Sequence, residues 1–228
     1  MGRVRRVAAV MIVLAVMIGA SAVEAYAVDS GQPYWVLGFQ GPYDVHPSYR
    51  YWGVSSSVLC PSTGPVVADK VCSIYAFLSY DNYFETGLVR RPGWSSWHKF
   101  TAYERLGYTT SQQVGWHGEA AQGQWYYFEL NNRFMDNDPN PGVLWRANVA
   151  GSYYDRDMNF YKASAHLSSE RGSTQVSGAA LYGSMKFRDY DGLWLSWAAY
   201  PNWTRSVYEQ WYVGVYADNN TRFQAYVY

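Results

Sequence analysis

The chain has 228 residues, with 18 basic and 18 acidic side chains and charged residues at only 16%. That balance argues against nucleic acid or anionic lipid as the main partner, since both reward clustered positive charge. Aromatic residues reach 19%, with 23 Tyr and 11 Trp. Such a composition favours pleated, half-buried surfaces, and binding sites where a ring is stacked on one face and wetted at its edge.

At the start of the chain, Arg3, Arg5 and Arg6 precede a nearly unbroken apolar stretch over residues 7–20, and Ala25-Tyr26-Ala27 follows. This is the layout of a secretory signal peptide, and its apolar core is short for a bilayer span. The expectation is a signal peptide over residues 1–27 and one β-sandwich domain over 28–228. The protein is then extracellular or on the cell surface, with no transmembrane segment after cleavage. Cleavage removes three of the basic residues and one of the acidic ones, Glu24, leaving 15 against 17 and a net charge of −2.

Beyond the leader, helical periodicity is nearly absent. Short runs of β-branched and aromatic residues alternate with Gly, Pro, Asn, Asp and Ser, the signature of strands and turns. Residues 51–58 read as a strand, and Cys60 and Cys72 then bracket a short loop. In an exported chain these two cysteines suggest a disulfide, worth on the order of 3 kcal/mol by chain entropy. The alternative is a pair of buried thiols. Residues 72–79 put Ile74, Ala76 and Leu78 on one face and Tyr75 and Phe77 on the other, and residues 83–90 return as the hairpin partner. Further strands are expected at 97–105, 124–131, 143–149, 159–167, 173–180, 185–190, 193–199, 207–216 and 222–228. A dozen short strands without a fixed repeat predict an all-β fold, a two-sheet antiparallel sandwich or jelly roll.

Four stretches carry a family resemblance: Tyr51-Trp52-Gly53-Val54 with Cys60-Pro61-Ser62, then Phe84-Glu85-Thr86-Gly87-Leu88-Val89, then Ala102-Tyr103-Glu104, and finally residues 172–179. In order and spacing they resemble the glutamic peptidases (eqolisins), concanavalin-like β-sandwiches, over roughly residues 50–190. In that family a glutamine and a glutamate face each other across a groove. The carboxyl acts as general acid and base on a water, and the amide holds that water and the oxyanion. The resemblance places Glu85 at the first position and Gln175 at the second, so the two residue types are exchanged. A Glu85/Gln175 pair implies the same chemistry with roles reversed, and requires a carboxyl protonated near working pH. The structural alternative makes Glu85 an ordinary polar residue on a strand and Gln175 a loop-edge residue. Shared fold does not imply shared chemistry.

Other constellations point to less. His46, His98, His117 and His166 lack zinc-site spacing, and no G-x-S-x-G elbow marks a serine nucleophile. Asp136, Asp138 and Asn140 alternate as calcium-loop ligands do. Pro141, however, stands where such loops need glycine, so a solvated turn is expected and no metal or cofactor. Trp194, Trp197, Tyr200 and Trp203 cluster late in the chain, followed by Tyr208, Trp211, Tyr212 and Tyr216. About half of an alternating set faces the core, and the remainder can form a stacking platform.

Three functions are therefore open. The first is non-catalytic binding of an extracellular polysaccharide or polypeptide in an aromatic-lined concave groove, with Trp52, Tyr103, Glu104, Trp194 and Trp197 as ligand-binding candidates. The second is acid hydrolysis through Glu85 and Gln175. The third is a structural surface protein that self-associates.

Overall fold

The computed structural model describes residues 35–42, 51–62, 70–79, 81–109, 111–133, 144–161, 163–171, 180–189, 191–196, 203–207, 211–215 and 222–227. The expected signal peptide, the Asp136–Gly142 segment, Gln175 and Trp197 lie outside them. In chain order the strands are β1 (Trp35–Pro42), β2 (Gly53–Leu59), β3 (Lys70–Ser79), β4 (Asn82–Arg90), β5 (Trp97–Glu104), β6 (Gln113–Ala120), β7 (Trp125–Asn132) and β8 (Leu144–Val149). They continue with β9 (Ser152–Asp157), β10 (Ser164–Arg171), β11 (Ala180–Arg188), β12 (Trp194–Ser196), β13 (Trp203–Val207), β14 (Trp211–Val215) and β15 (Arg222–Val227).

These strands form two antiparallel sheets. One has seven strands in the order β13-β1-β10-β3-β4-β5-β6; the other has eight, β14-β15-β11-β2-β7-β8-β9, with β12 added against β11. The all-β sandwich expected from the alternation is the fold observed. Between the sheets, every second residue supplies the core: Val54 and Val58 from β2, Ile74 and Ala76 from β3, Phe84 and Leu88 from β4. Phe128 and Leu130 come from β7, and Trp145, Ala147 and Val149 from β8. Two antiparallel sheets about 10 Å apart are filled this way by interdigitating side chains. Turns are equally legible. Between β8 and β9, Ala150 (φ 51°) and Gly151 (φ 94°) both take the left-handed region. A two-residue hairpin turn requires this. The Asn148 side-chain oxygen accepts a hydrogen bond from the Gly151 N–H at 2.8 Å.

The disulfide expectation is corrected: no bridge joins Cys60 and Cys72, and both thiols are buried. Cys60 follows β2 in the eight-stranded sheet, and Cys72 is on β3 in the seven-stranded one. Each occupies core volume as a small hydrophobe. Burial pushes the Cys60 thiol up to about 11, which keeps it protonated, and its Sγ lies 3.8 Å from the Ala120 carbonyl oxygen.

Candidate functional site

Strand alternation divides the seven-stranded sheet into a core face and an outer face. On β4, Phe84 and Leu88 go to the core, so Tyr83, Glu85, Gly87 and Val89 belong to the outer face. Register across the strands then assembles two adjacent rows on that face. In the first, Gln40 of β1 stands opposite His166 of β10 and His166 opposite Tyr75 of β3. Tyr75 in turn stands opposite Glu85, Glu85 opposite Ala102 of β5, and Ala102 opposite Val114 of β6.

The second row runs Ser206, Gly38, Ser168, Ser73, Gly87, Phe100 and Trp116. Its first five members are all Ser or Gly, so it forms a strip of small residues across five strands. At the β6 end it meets an aromatic wall.

Glu85 sits at the centre of this arrangement with 0% exposure, and its flanking rings Tyr75 and Tyr83 are almost as buried. Those rings pack with centroids 6.1 Å apart, and Tyr83 accepts a 2.7 Å hydrogen bond from the Gln112 amide. Among the described residues, Ser73 Oγ, also buried, has no hydrogen-bond partner. The strip is enclosed at its middle and opens toward β6, where Trp116 is 43% exposed. There Trp94 and Trp116 meet edge to face at 5.2 Å, and the Arg91 guanidinium lies 5.0 Å from the Trp116 ring. Such a contact is favourable because the ring face is electron-rich. Glu104, opposite Tyr83, is partly exposed. Burial and then the neighbouring Asp81 charge raise its carboxyl above the ordinary carboxylate range.

Three further ligand-binding candidates, Trp52, Tyr103 and Trp194, do not converge on this strip. Trp52 is buried between backbone partners: its N–H donates to the Arg188 carbonyl, and its own carbonyl accepts from Asn132 N–H. Tyr103 faces the inter-sheet space, edge-on to Phe84 at 6.5 Å. Trp194 lies over Gly53 on the outer face of the eight-stranded sheet, where its Cη2 stands 2.9 Å from the place a Gly53 Cβ would occupy. The structure instead brings Tyr75, Ser73 and His166 to row positions around Glu85. The alternation within residues 72–79 already separates Tyr75 from the core face. His166 carried no such signal, because its strand pairs with β3 from far away in the sequence. Among the described residues, no three His, Cys, Asp or Glu side chains gather as metal ligands would.

A second polar cluster closes the open side between the sheets. His117 of β6 stacks on Tyr154 of β9 at 3.7 Å, and its Nε2 shares a 2.8 Å hydrogen bond with Thr101 Oγ1. Burial, then the charges of Arg156 and Lys99, hold the imidazole below its ordinary value of 6.5. The folded state therefore prefers neutral His117 and binds fewer protons than the unfolded chain. Its contribution is whole above the ordinary value and is lost as pH falls toward the lower folded one. Thermal unfolding followed from pH 8 to 5 should show a falling midpoint, and the fall should be shallower in His117→Phe. Equal slopes in the two proteins would exclude this assignment.

Known proteins place the architecture. No protein-family model matches the chain, and no curated protein does. A scytalido-glutamic peptidase with a peptide-based transition state analogue covers 86% of this chain and 98% of its own, with a TM-score of 0.56 at 9% identity. SCP-B, described as a member of the eqolisin family of peptidases and solved with the tripeptide Ala-Ile-His, gives 0.53 at 9% identity over the same shares. Scytalido-glutamic peptidase with a transition state analogue inhibitor gives 0.55 at 11%. The fold resembles that of the eqolisin peptidases. Identity this low speaks for the eqolisin-like architecture alone, so chemistry must be argued from the residues of the strip.

Proposed function

We propose that this chain is a secreted, eqolisin-like β-sandwich that holds an extended polypeptide across the outer face of its seven-stranded sheet without cutting it. The observation that carries this reading is the strip itself, with Glu85 enclosed beside Ser73 and Gly87 and an aromatic wall at the β6 end. Ser73, Glu85 and Gly87 are themselves buried, so a peptide would meet the strip at its open β6 end, where Trp116 and Trp94 offer an apolar surface for its side chains. Eqolisin-type structures of similar fold solved with a tripeptide and a peptide-based analogue support a peptide as the ligand. Among the described residues, the amide-bearing position in Glu85's row, Gln40, is three strands away by backbone register, which favours non-catalytic binding. By strand spacing that is about 14 Å, too far for one water to bridge.

The test is binding of a denatured, labelled protein pool to the purified chain. Trp116→Ala, at the exposed end, should weaken capture about tenfold while leaving the unfolding midpoint nearly unchanged. No capture by the parent protein, or capture indifferent to Trp116, would end the proposal.

A second reading is favoured by one feature, a fully buried Glu85 in the same row as His166, two strands across. Two strand spacings are about 10 Å. Here Glu85 is the general acid/base of a glutamic-peptidase-like hydrolase, with Gln175 as its water- and oxyanion-binding partner. It predicts cleavage of denatured protein at acid pH that Glu85→Gln abolishes. Absence of acid-range cleavage removes it and leaves the binding reading standing.

A further inference from the structure

The eight-stranded sheet carries its own exposed outer face over β7, β8 and β9. On β7, Trp125 is 44% exposed and Tyr127 40%. They are two residues apart, hence about 7 Å along one strand. Tyr153 of β9 is 63% exposed. Register places two polar rows beside these rings. One runs Lys186, Ser55, Glu129, Asn148 and Tyr153; the other runs Arg188, Gly53, Asn131, Arg146 and Asp155. At the far side of the second row stands Trp194 over Gly53. The result is a flat polar floor framed by aromatic rings.

The floor is organised by its own contacts. Arg146 grips Asp155 with two hydrogen bonds, at 2.6 and 2.7 Å, and its guanidinium lies 5.3 Å from the Tyr153 ring. Arg188 donates to Asn131 Oδ1 at 2.8 Å, and Tyr127 Oη donates to Glu129 at 2.6 Å. These contacts hold the rings and polar groups in place before any ligand arrives, which lowers the entropic cost of binding.

We infer that this face binds a neutral polysaccharide. A pyranose ring offers a plane of C–H groups to stack on an indole or phenol, and a rim of hydroxyls for a floor of fixed donors and acceptors. Rings that are apolar on the face and wetted at the edge suit such a ligand. Its cations, Lys186, Arg146 and Arg188, stand in the same rows as Glu129 and Asp155, so a nucleic acid or anionic polymer meets charges of both signs here rather than a basic patch. A protein interface would call for a core depleted of charged residues, whereas this floor holds Lys186, Arg188, Glu129, Arg146 and Asp155. The inference stands apart from the polypeptide reading, because it uses the opposite sheet and none of the same residues.

The test is retention of the full chain on microcrystalline cellulose, chitin and insoluble xylan, with and without 0.5 M NaCl. Retention on at least one of them, unaffected by salt, is expected. The double variant Trp125→Ala/Tyr153→Ala should weaken it about tenfold or more. Because both side chains are exposed, its unfolding midpoint should stay near that of the parent, which separates lost binding from lost fold. Trp116→Ala should leave glycan retention unchanged. No retention on any of the three, retention abolished by salt, or retention equal in the double variant would overturn the proposal.

Discussion

Trp145→Ala is expected to remove about 3–5 kcal/mol of stability, a large part of what holds a domain of this size together. Trp145 stands on the core face of β8 with no solvent exposure, 5.2 Å from the Phe160 ring. Truncation would lose the transfer free energy of the indole and leave a cavity between two sheets that cannot easily close on it. A hydrogen bond is lost as well. Trp145 Nε1 donates to the Phe160 carbonyl at 2.8 Å in a buried setting. Even Trp145→Phe therefore strands an acceptor and should cost about 1–3 kcal/mol. Trp97 supplies the internal control. It is equally buried, but its Nε1 has no hydrogen-bond partner among the described residues. Trp97→Phe removes that orphan donor along with some packing, and should therefore cost less than Trp145→Phe. Urea unfolding of the three variants at one pH checks the order. Equal costs for the two Phe variants would show that the Phe160 bond contributes nothing net.

The same contrast between local pattern and distant partner decides what could be read from the sequence. Strands β3, β4, β5, β7 and β8 fall within two residues of their expected limits, because each alternates core and non-core side chains along its length. Strands β6 and β9 escaped notice for the opposite reason. They close one end of each sheet, and runs such as Gln113-Val114-Gly115-Trp116-His117-Gly118 and Ser152-Tyr153-Tyr154-Asp155-Arg156-Asp157 carry glycines or charges where a central strand would carry apolar residues. Residues 207–216, read as one strand, contain parts of two, β13 and β14. For the site, Phe84-Glu85-Thr86-Gly87 was informative because the row position of Glu85 is a property of its own strand. Its neighbours in that row were not legible, since β10 reaches β3 only through tertiary packing. The family resemblance pointed to Gln175, which lies outside the described residues; within them the register puts His166 in line with Glu85. Of the late aromatics, Trp194 lies over Gly53 on the eight-stranded sheet. The exposed rings Trp125, Tyr127 and Tyr153 on the same sheet lie in strands whose polar members mask the pattern.

Gly87→Ala should be among the most damaging single-methyl additions in this protein, at roughly 3 kcal/mol or more. Gly87 stands opposite Ser73 in the middle of the seven-stranded sheet. A Cβ there would collide with the Cys72 carbonyl oxygen and come within 2.6 Å of Ser73 Cα and 2.9 Å of Ser73 Cβ. Two of these three atoms are backbone, so no rotamer change relieves the clash; β3 and β4 would have to separate and give up ladder hydrogen bonds. Gly93 is the useful comparison. It sits in the turn after β4 at a φ of 81°, with nothing within 4 Å of an added methyl. Gly93→Ala therefore incurs only the conformational cost of a left-handed alanine, about 1 kcal/mol. Denaturant unfolding should separate the two by about 2 kcal/mol or more. The same experiment bears on function, because Gly87 is part of the strip floor beside Glu85. If Gly87→Ala proved as mild as Gly93→Ala, β3 and β4 would not lie as close at this pair as the buried strip requires.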